Sequence, residues 1–177
     1  MGDNTLPDQV AAMKELAQRY PWIDLERAGI WGHSGGGFAT AAAMFRYPEF
    51  FKVGISEAGN HDNRNYEDDW GEKWQGLLDG SNYDNQANQL VAKNLRGKLL
   101  LAHGTTDTNV PPDNTMLVID ELIKANRDFD LLLLPNRGHG FATEPYMIRR
   151  RWDYFVRYLM DAEPPKEFQL HPPKPES

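Results

Sequence analysis

The stretch Ile30-Trp31-Gly32-His33-Ser34-Gly35-Gly36-Gly37-Phe38 decides how the rest of the chain is read. An apolar run with strand character (Ala28, Ile30, Trp31) passes through Gly-x-Ser-x-Gly into the helix-prone Ala39-Thr40-Ala41-Ala42-Ala43-Met44-Phe45. Strand, sharp turn and helix in that order outline a nucleophile elbow. Its serine backbone is strained, and glycines flank it because Cβ atoms there would collide with neighbouring chain. Such a turn exposes the Ser34 Oγ at a helix N-terminus, beside the backbone N–H of Gly35. The competing reading is a glycine-rich turn that merely joins a strand to a helix. Residues far downstream decide between the two.

Working outward, residues 8–20 place Val10, Met13, Ala17 and Tyr20 on one helical stripe, with Pro7 tolerated in the first turn. The strand of residues 28–33 follows, and the helix after Ser34 runs to Tyr47, ahead of Pro48. Val53-Gly54-Ile55 reads as a short buried strand and residues 59–65 as polar turn. Residues 66–78 carry Tyr66, Trp70, Trp74 and Leu77 at helical spacing, a stripe of the kind that more often belongs to a core than to a binding site. A further helix is expected over 85–94. Lys98-Leu99-Leu100-Leu101-Ala102-His103 and Asp130-Leu131-Leu132-Leu133-Leu134 are continuous apolar runs, as in strands covered on both faces of a parallel sheet. Between them, residues 113–126 form a helix with Met116, Ile119, Leu122 and Ile123 inward. Residues 144–160 close the fold with Met147, Trp152, Phe155 and Leu159 as apolar positions. The chain divides into an α/β domain over 1–161 and a proline-rich tail over 162–177, with Pro164, Pro165, Pro172, Pro173 and Pro175.

At 177 residues the chain suits one domain with a real core. Its net charge of -7 and lack of a basic face argue against a nucleic-acid or anionic-membrane partner. The one basic run, Arg149-Arg150-Arg151, lies inside a helix and is too short to make a patch. With no cysteine, disulfides, thiolate metal sites and a cysteine nucleophile are excluded, and the compartment is left open. No signal-like start and no apolar stretch approaching about 18 residues is present, so the chain reads as soluble.

Strands alternating with helices give a parallel α/β sheet with right-handed crossovers, whose ligands sit beyond the carboxyl ends of the strands. Four strands are counted. The loops that follow them hold Ser34, residues 57–65, Asp107 and His139, all expected on one edge. Ser34, Asp107 and His139 stand in the chain order of an α/β-hydrolase triad. Serine is a poor nucleophile at neutral pH, so His139 would take its proton and return it to the leaving group. Asp107 would hold the imidazole tautomer and stabilise the imidazolium, and the Gly35 N–H would supply an oxyanion donor. His139 lies in Arg137-Gly138-His139-Gly140, whose glycines suit an exposed tight loop. Asp113 competes with Asp107 but is better placed as a helix cap, His103 reads as a satisfied histidine at a strand end, and His33 could line the site.

These stretches, with Glu72-Lys73-Trp74-Gln75-Gly76-Leu77, His103-Gly104-Thr105-Thr106-Asp107-Thr108-Asn109-Val110 and Pro135-Asn136-Arg137-Gly138-His139-Gly140, resemble the catalytic domain of the prolyl oligopeptidase family of serine peptidases. The likeness covers roughly residues 8 to 160 and is strongest to the dipeptidyl peptidase IV branch. It implies an α/β-hydrolase fold, of which this chain is the C-terminal portion, with about four of the roughly eight strands. It implies the triad Ser34, Asp107 and His139. It also makes Tyr66 and Trp70 aromatic walls of the pocket for the penultimate, often prolyl, side chain. Asn109 becomes the amide that binds a substrate carbonyl and Val110 a pocket wall, while Trp74 and Leu77 remain core candidates.

The implied activity is release of N-terminal dipeptides from a peptide substrate, with proline or alanine next to the scissile bond, through an acyl-enzyme. No metal or organic cofactor is implied. The family's second oxyanion donor, a tyrosine from an upstream loop, and the β-propeller with its paired glutamates lie outside this stretch; the resemblance expects them in a parent protein and admits a homodimer. Gly35 stands where the branch often has an aromatic side chain. The alternatives are an acylaminoacyl peptidase, oligopeptidase or esterase on the same fold, or a truncated, catalytically incompetent module. On its own the piece is expected to be weakly active or inactive and, with the edge of its elbow strand uncovered, prone to self-associate.

Overall fold

The computed structural model describes residues 5–80 and 82–170, so the end of the proline-rich tail lies outside the described residues. Helix α1 (Leu6–Arg19) leads through a loop to strand β1 (Gly29–His33) and helix α2 (Gly35–Arg46). Strand β2 (Val53–Glu57) is followed by helix α3 (Asp68–Gln75), strand β3 (Lys98–Gly104) and helix α4 (Asp113–Lys124). Strand β4 (Asp130–Leu134) and helix α5 (Pro145–Leu159) complete the order. The four strands are parallel and lie in sequence order, β1-β2-β3-β4. No described helix is long and apolar enough to cross a membrane.

Side-chain alternation splits the strands between two cores. On one face Leu99 and Leu101 of β3 pack with Leu6 and Val10 of α1, the alanines and Phe45 of α2, and Val118 and Leu122 of α4. On the other, Val53, Ile55, Leu100, Ala102 and Leu134 meet Met147 and Tyr154 of α5 together with Phe141. Gly29 marks how closely α5 approaches, since a Cβ there would sit 2.6 Å from Leu159 and 2.8 Å from Phe155. Helices on both faces leave the carboxyl edge of the sheet open. There the chain leaves His33, Glu57, Gly104 and Leu134 in neighbouring positions, as the register pairs His33 with Glu57 and Gly104 with Leu134.

Several expectations from the sequence are corrected. The helix expected over 66–78 shortens to Asp68–Gln75 and stops at Gly76, whose φ is 82°. It stands beyond the sheet edge with no core beneath it, so Trp74 and Leu77 are 51% and 70% exposed and are not core residues. The helix expected over 85–94 is instead two tight 3-10 turns, Asp84–Gln86 and Asn88–Asn94. Asn88, within the second turn, is buried and donates to the Phe38 carbonyl of α2, which ties this segment to the core. In α4 the inward stripe is Thr115, Val118, Ile119 and Leu122, leaving Met116 and Ile123 exposed. Strand β4 is covered on one face only, where Leu132 and Leu134 meet the cluster around α5; Leu131 and Leu133 on the other face are 42% and 40% exposed. In α5 Trp152 is exposed, whereas Arg151 is buried between Met147 and Tyr154. Residues 60–63, read as polar turn, are polar but buried.

Candidate active site

Ser34 links β1 to α2 with φ 58° and ψ −121°, a conformation that costs a non-glycine residue of order 1–3 kcal/mol. Two contacts hold it there: the Ser34 N–H donates to the Glu57 carbonyl at 2.8 Å, and the Ser34 carbonyl accepts from the Phe38 N–H at 3.0 Å. The tight turn depends on glycine at two positions. A Cβ on Gly32 would lie 2.4 Å from the Gly36 carbonyl oxygen, and one on Gly37 would lie 2.4 Å from that of Glu57. Gly36 itself is in open space, so the expectation that each glycine of the motif avoids a collision fails at that position. Gly35 opens α2, and its N–H has no intrahelical acceptor.

Asp107 lies three residues beyond β3 and is 4% exposed. Its Oδ1 accepts from the N–H groups of Asn109 and Val110, both at 3.0 Å, which fixes the carboxylate plane. Its Oδ2 is 2.7 Å from Nδ1 of His139, which stands on the turn His139–Thr143 after β4. A carboxylate at that nitrogen leaves Nε2 as the ring's outward base. Among the described residues no hydrogen bond joins His139 to Ser34 Oγ; catalytic hydrogen bonds of this kind often tighten only when substrate arrives. His103 is buried and satisfied, as expected: its Nε2–H donates to the Val110 carbonyl at 3.0 Å and its Nδ1 lies 2.7 Å from the Thr115 hydroxyl. Burial lowers its pKa, so it stands neutral beside Asp107.

His33 lies against His139, with ring centroids 4.6 Å apart and tilted 49°, and stands edge to face with Phe141 at 5.5 Å. Burial, then the proximity of His139, lowers its pKa to about 4, so it is an uncharged plate against the imidazole at neutral pH. Tyr66 and Trp70 stand edge to face at 6.2 Å, and the Tyr66 hydroxyl donates to Oδ1 of Asn109 at 3.0 Å, leaving Nδ2 of Asn109 as a donor. A cavity of about 390 Å³ opens between Tyr66, Asn109, Thr108, Pro111 and the 64–67 segment. Trp70 leans over the Ser34 turn, 3.4 Å from where a Gly35 Cβ would be, and so fills space a side chain at 35 would otherwise take. Val110 is not a pocket wall: it is fully buried, and both its backbone groups are used to fix Asp107 and His103.

The site thus gathers Ser34, Gly35, Asp107, His139, Tyr66, Trp70 and Asn109 at one sheet edge. Residues 1–162 match the family model described as the prolyl oligopeptidase family. The chain belongs to the prolyl oligopeptidase family. Within that family it is 31% identical over 160 residues to dipeptidyl peptidase family member 1 of Caenorhabditis elegans, covering 89% of this chain and 20% of the relative. The fold superposes on dipeptidyl peptidase 4 of Porphyromonas gingivalis with a TM-score of 0.83 and 32% identity, over 90% of this chain and 23% of that one. An acylaminoacyl peptidase solved with Z-Gly-Gly-Phe-chloromethyl ketone gives 0.78 and 25%, over 94% and 29%. The prolyl oligopeptidase relatives are therefore much longer, and this chain spans about a fifth of their length. Its four-stranded parallel sheet is part of an α/β-hydrolase fold.

Two residues of the site escaped the sequence reading. The Glu57 carboxylate is fully buried at the end of β2 and forms a two-pronged ion pair with Arg151 of α5, at 2.7 and 2.9 Å. A signal did exist. Arg151 falls four residues after Met147 and three before Tyr154, on the buried stripe of α5, where a charged residue needs a buried partner.

Proposed function

We propose that the protein carrying this chain is a serine exopeptidase that releases N-terminal dipeptides, with Ser34 as nucleophile, His139 as general base and acid, and Asp107 as its orienting carboxylate. The observation that carries the reading is the 2.7 Å contact between Asp107 and Nδ1 of His139, formed at the same sheet edge as a serine held at φ 58°. Ser34 Oγ attacks the scissile carbonyl while Nε2 of His139 takes its proton. The tetrahedral oxyanion forms beside the Gly35 N–H at the positive end of α2. His139 then returns the proton to the leaving amine, and the acyl group stays on Ser34. Water enters and attacks the acyl carbon while His139 takes its proton; as the second tetrahedral adduct collapses, the bond to Ser34 Oγ breaks, His139 returns the proton to that oxygen, and the dipeptide leaves as its carboxylic acid. Every proton is accounted for by the chain's own residues.

Specificity rests on Tyr66, Trp70 and Asn109. An aromatic-walled slot presents flat apolar faces to a proline or alanine side chain, and Nδ2 of Asn109 is free to donate to a substrate carbonyl. The names of the relatives, dipeptidyl peptidases above all, support this choice. The test is hydrolysis by the full-length protein of paired Xaa-Pro chromogenic amides, one with a free amino terminus and one blocked. Release from the free-amine substrate alone supports a dipeptidyl peptidase. Release from the blocked substrate alone moves the protein to acylaminoacyl or oligopeptidase activity, and no release from either contradicts the peptidase reading.

A further inference from the structure

We propose that the buried Glu57–Arg151 pair is the positioning element that holds the His139 turn in register with Ser34. This rests on the reading of Ser34 and His139 as nucleophile and base. The geometry runs without a gap from one to the other. The Ser34 N–H donates to the Glu57 carbonyl at 2.8 Å, and the Glu57 carboxylate, with no exposed surface, grips Arg151 through Nε at 2.7 Å and an Nη at 2.9 Å. That same Nη donates to the Ala142 carbonyl at 3.0 Å, and Ala142 is three residues beyond His139 on the turn His139–Thr143. The ring of Trp31 of β1 closes the arrangement, with its centroid 3.9 Å from the guanidinium carbon. One guanidinium therefore ties β1, β2, α5 and the histidine turn together.

Asp107 orients the His139 ring and His33 packs against it, but among the described residues Ser34 and His139 share no hydrogen bond, and the Glu57–Arg151 pair adds a link between the backbones that carry them. The separation of the two reacting groups is then set by the backbone that carries each, and both backbones are tied to Glu57. The planar, two-pronged guanidinium suits this role, because it fixes direction as well as distance; lysine supplies charge without the fork. His33, adjacent to Ser34, also faces this pair, with its Nδ1 4.0 Å from Glu57 Oε2. Glu57 and Arg151 touch no substrate in this scheme and act only through Ser34 and His139.

The test uses the full-length protein with Glu57→Gln, which keeps the volume and removes the charge, Arg151→Lys, which keeps the charge and removes the fork, and Arg151→Met. Three quantities are read: kcat and KM on a free-amine Xaa-Pro amide, the rate at which a fluorophosphonate labels Ser34, and the labelling end point, which counts competent molecules. Misplacement of the base by a fraction of an ångström to an ångström predicts a loss of about ten- to a hundredfold in kcat and in labelling rate per competent molecule, with KM moving less than about threefold. Arg151→Lys should retain more activity than Arg151→Met. If Arg151→Met does not fold, Glu57→Gln and Arg151→Lys decide. Variants whose competent molecules keep kcat within about twofold of wild type, or that change KM alone, overturn the proposal and leave the functional reading intact. A wild-type protein whose Ser34 is never labelled overturns the functional reading and with it the role given to the pair.

Discussion

Replacing Gly32 by alanine tests the elbow more sharply than removing the serine, because its cost can be worked from the structure. The new Cβ would lie 2.4 Å from the Gly36 carbonyl oxygen, 2.5 Å from its carbon and 2.8 Å from its Cα. All three are backbone atoms, so no side chain can swing away. Ordinary carbon–oxygen contact lies near 3.4 Å, and relief needs a movement of about 1 Å within the turn that carries Ser34. Overpacking of this kind costs about 1–3 kcal/mol, which in a domain of this size lowers the thermal midpoint by roughly 2–12 °C. A 1 Å misplacement of a reacting group costs about a hundredfold in rate, or about 2.7 kcal/mol of transition-state stabilisation. Gly36→Ala is the matched control. Its Cβ meets no atom within 4 Å, and alanine in the first turn of α2 favours helix. Thermal melting and kcat/KM on a free-amine Xaa-Pro amide should therefore separate the two variants, Gly32→Ala losing on both counts and Gly36→Ala on neither. Wild-type kinetics in Gly32→Ala, or equal losses in the two, would refute the reasoning.

Asp107→Asn should fold, keep its contacts to the N–H groups of Asn109 and Val110, and lose about four orders of magnitude in kcat, because an amide N–H facing Nδ1 favours the wrong imidazole tautomer; a loss under tenfold would contradict the assigned role. Burial lowers the pKa of His33 to about 4 and that of His61 to about 3. The unfolded chain takes up protons at both positions below about pH 6.5 while the native state refuses them. Stability should then fall as pH drops from 6.5 toward 4, by about 1.4 kcal/mol per pH unit for each histidine. Glu57, whose carboxyl is raised by burial against the pull of Arg151, works in the opposite sense. Urea midpoints at pH 7, 6 and 5 for wild type and His33→Phe check the sign, the variant showing the shallower slope. This 177-residue segment expressed alone should elute above monomer mass in light-scattering chromatography, because among the described residues β1 pairs only with β2 and its other edge is free; a monodisperse monomer would contradict that.

The elbow, the strand order and the common edge for Ser34, Asp107 and His139 were legible because each follows from local pattern. Glycines bracket the serine, apolar runs mark the strands, and parallel topology carries every following loop to one side. What escaped depends on tertiary partners. Trp74 and Leu77 have the spacing of a core stripe, yet α3 stands beyond the sheet, where Trp74 meets only its helix neighbours Trp70 and Lys73 and both residues stay exposed. Leu131 and Leu133 have the composition of a doubly covered strand, yet β4 lies where only α5 covers it. Val110 matched a pocket wall by its place in a motif, but its backbone is spent on Asp107 and His103. Arg151 was hidden in a run of three arginines, two of which are half-buried while the third is buried on Glu57.

In the proposed mechanism Ser34 is a nucleophile activated by His139. The most direct measurement is fluorophosphonate labelling of the full-length protein, followed by peptide mapping of the adduct. One adduct is predicted, on Ser34, absent in Ser34→Ala and formed at least about a hundredfold more slowly in His139→Ala. An adduct on another residue, or peptidase activity that survives Ser34→Ala, would contradict it.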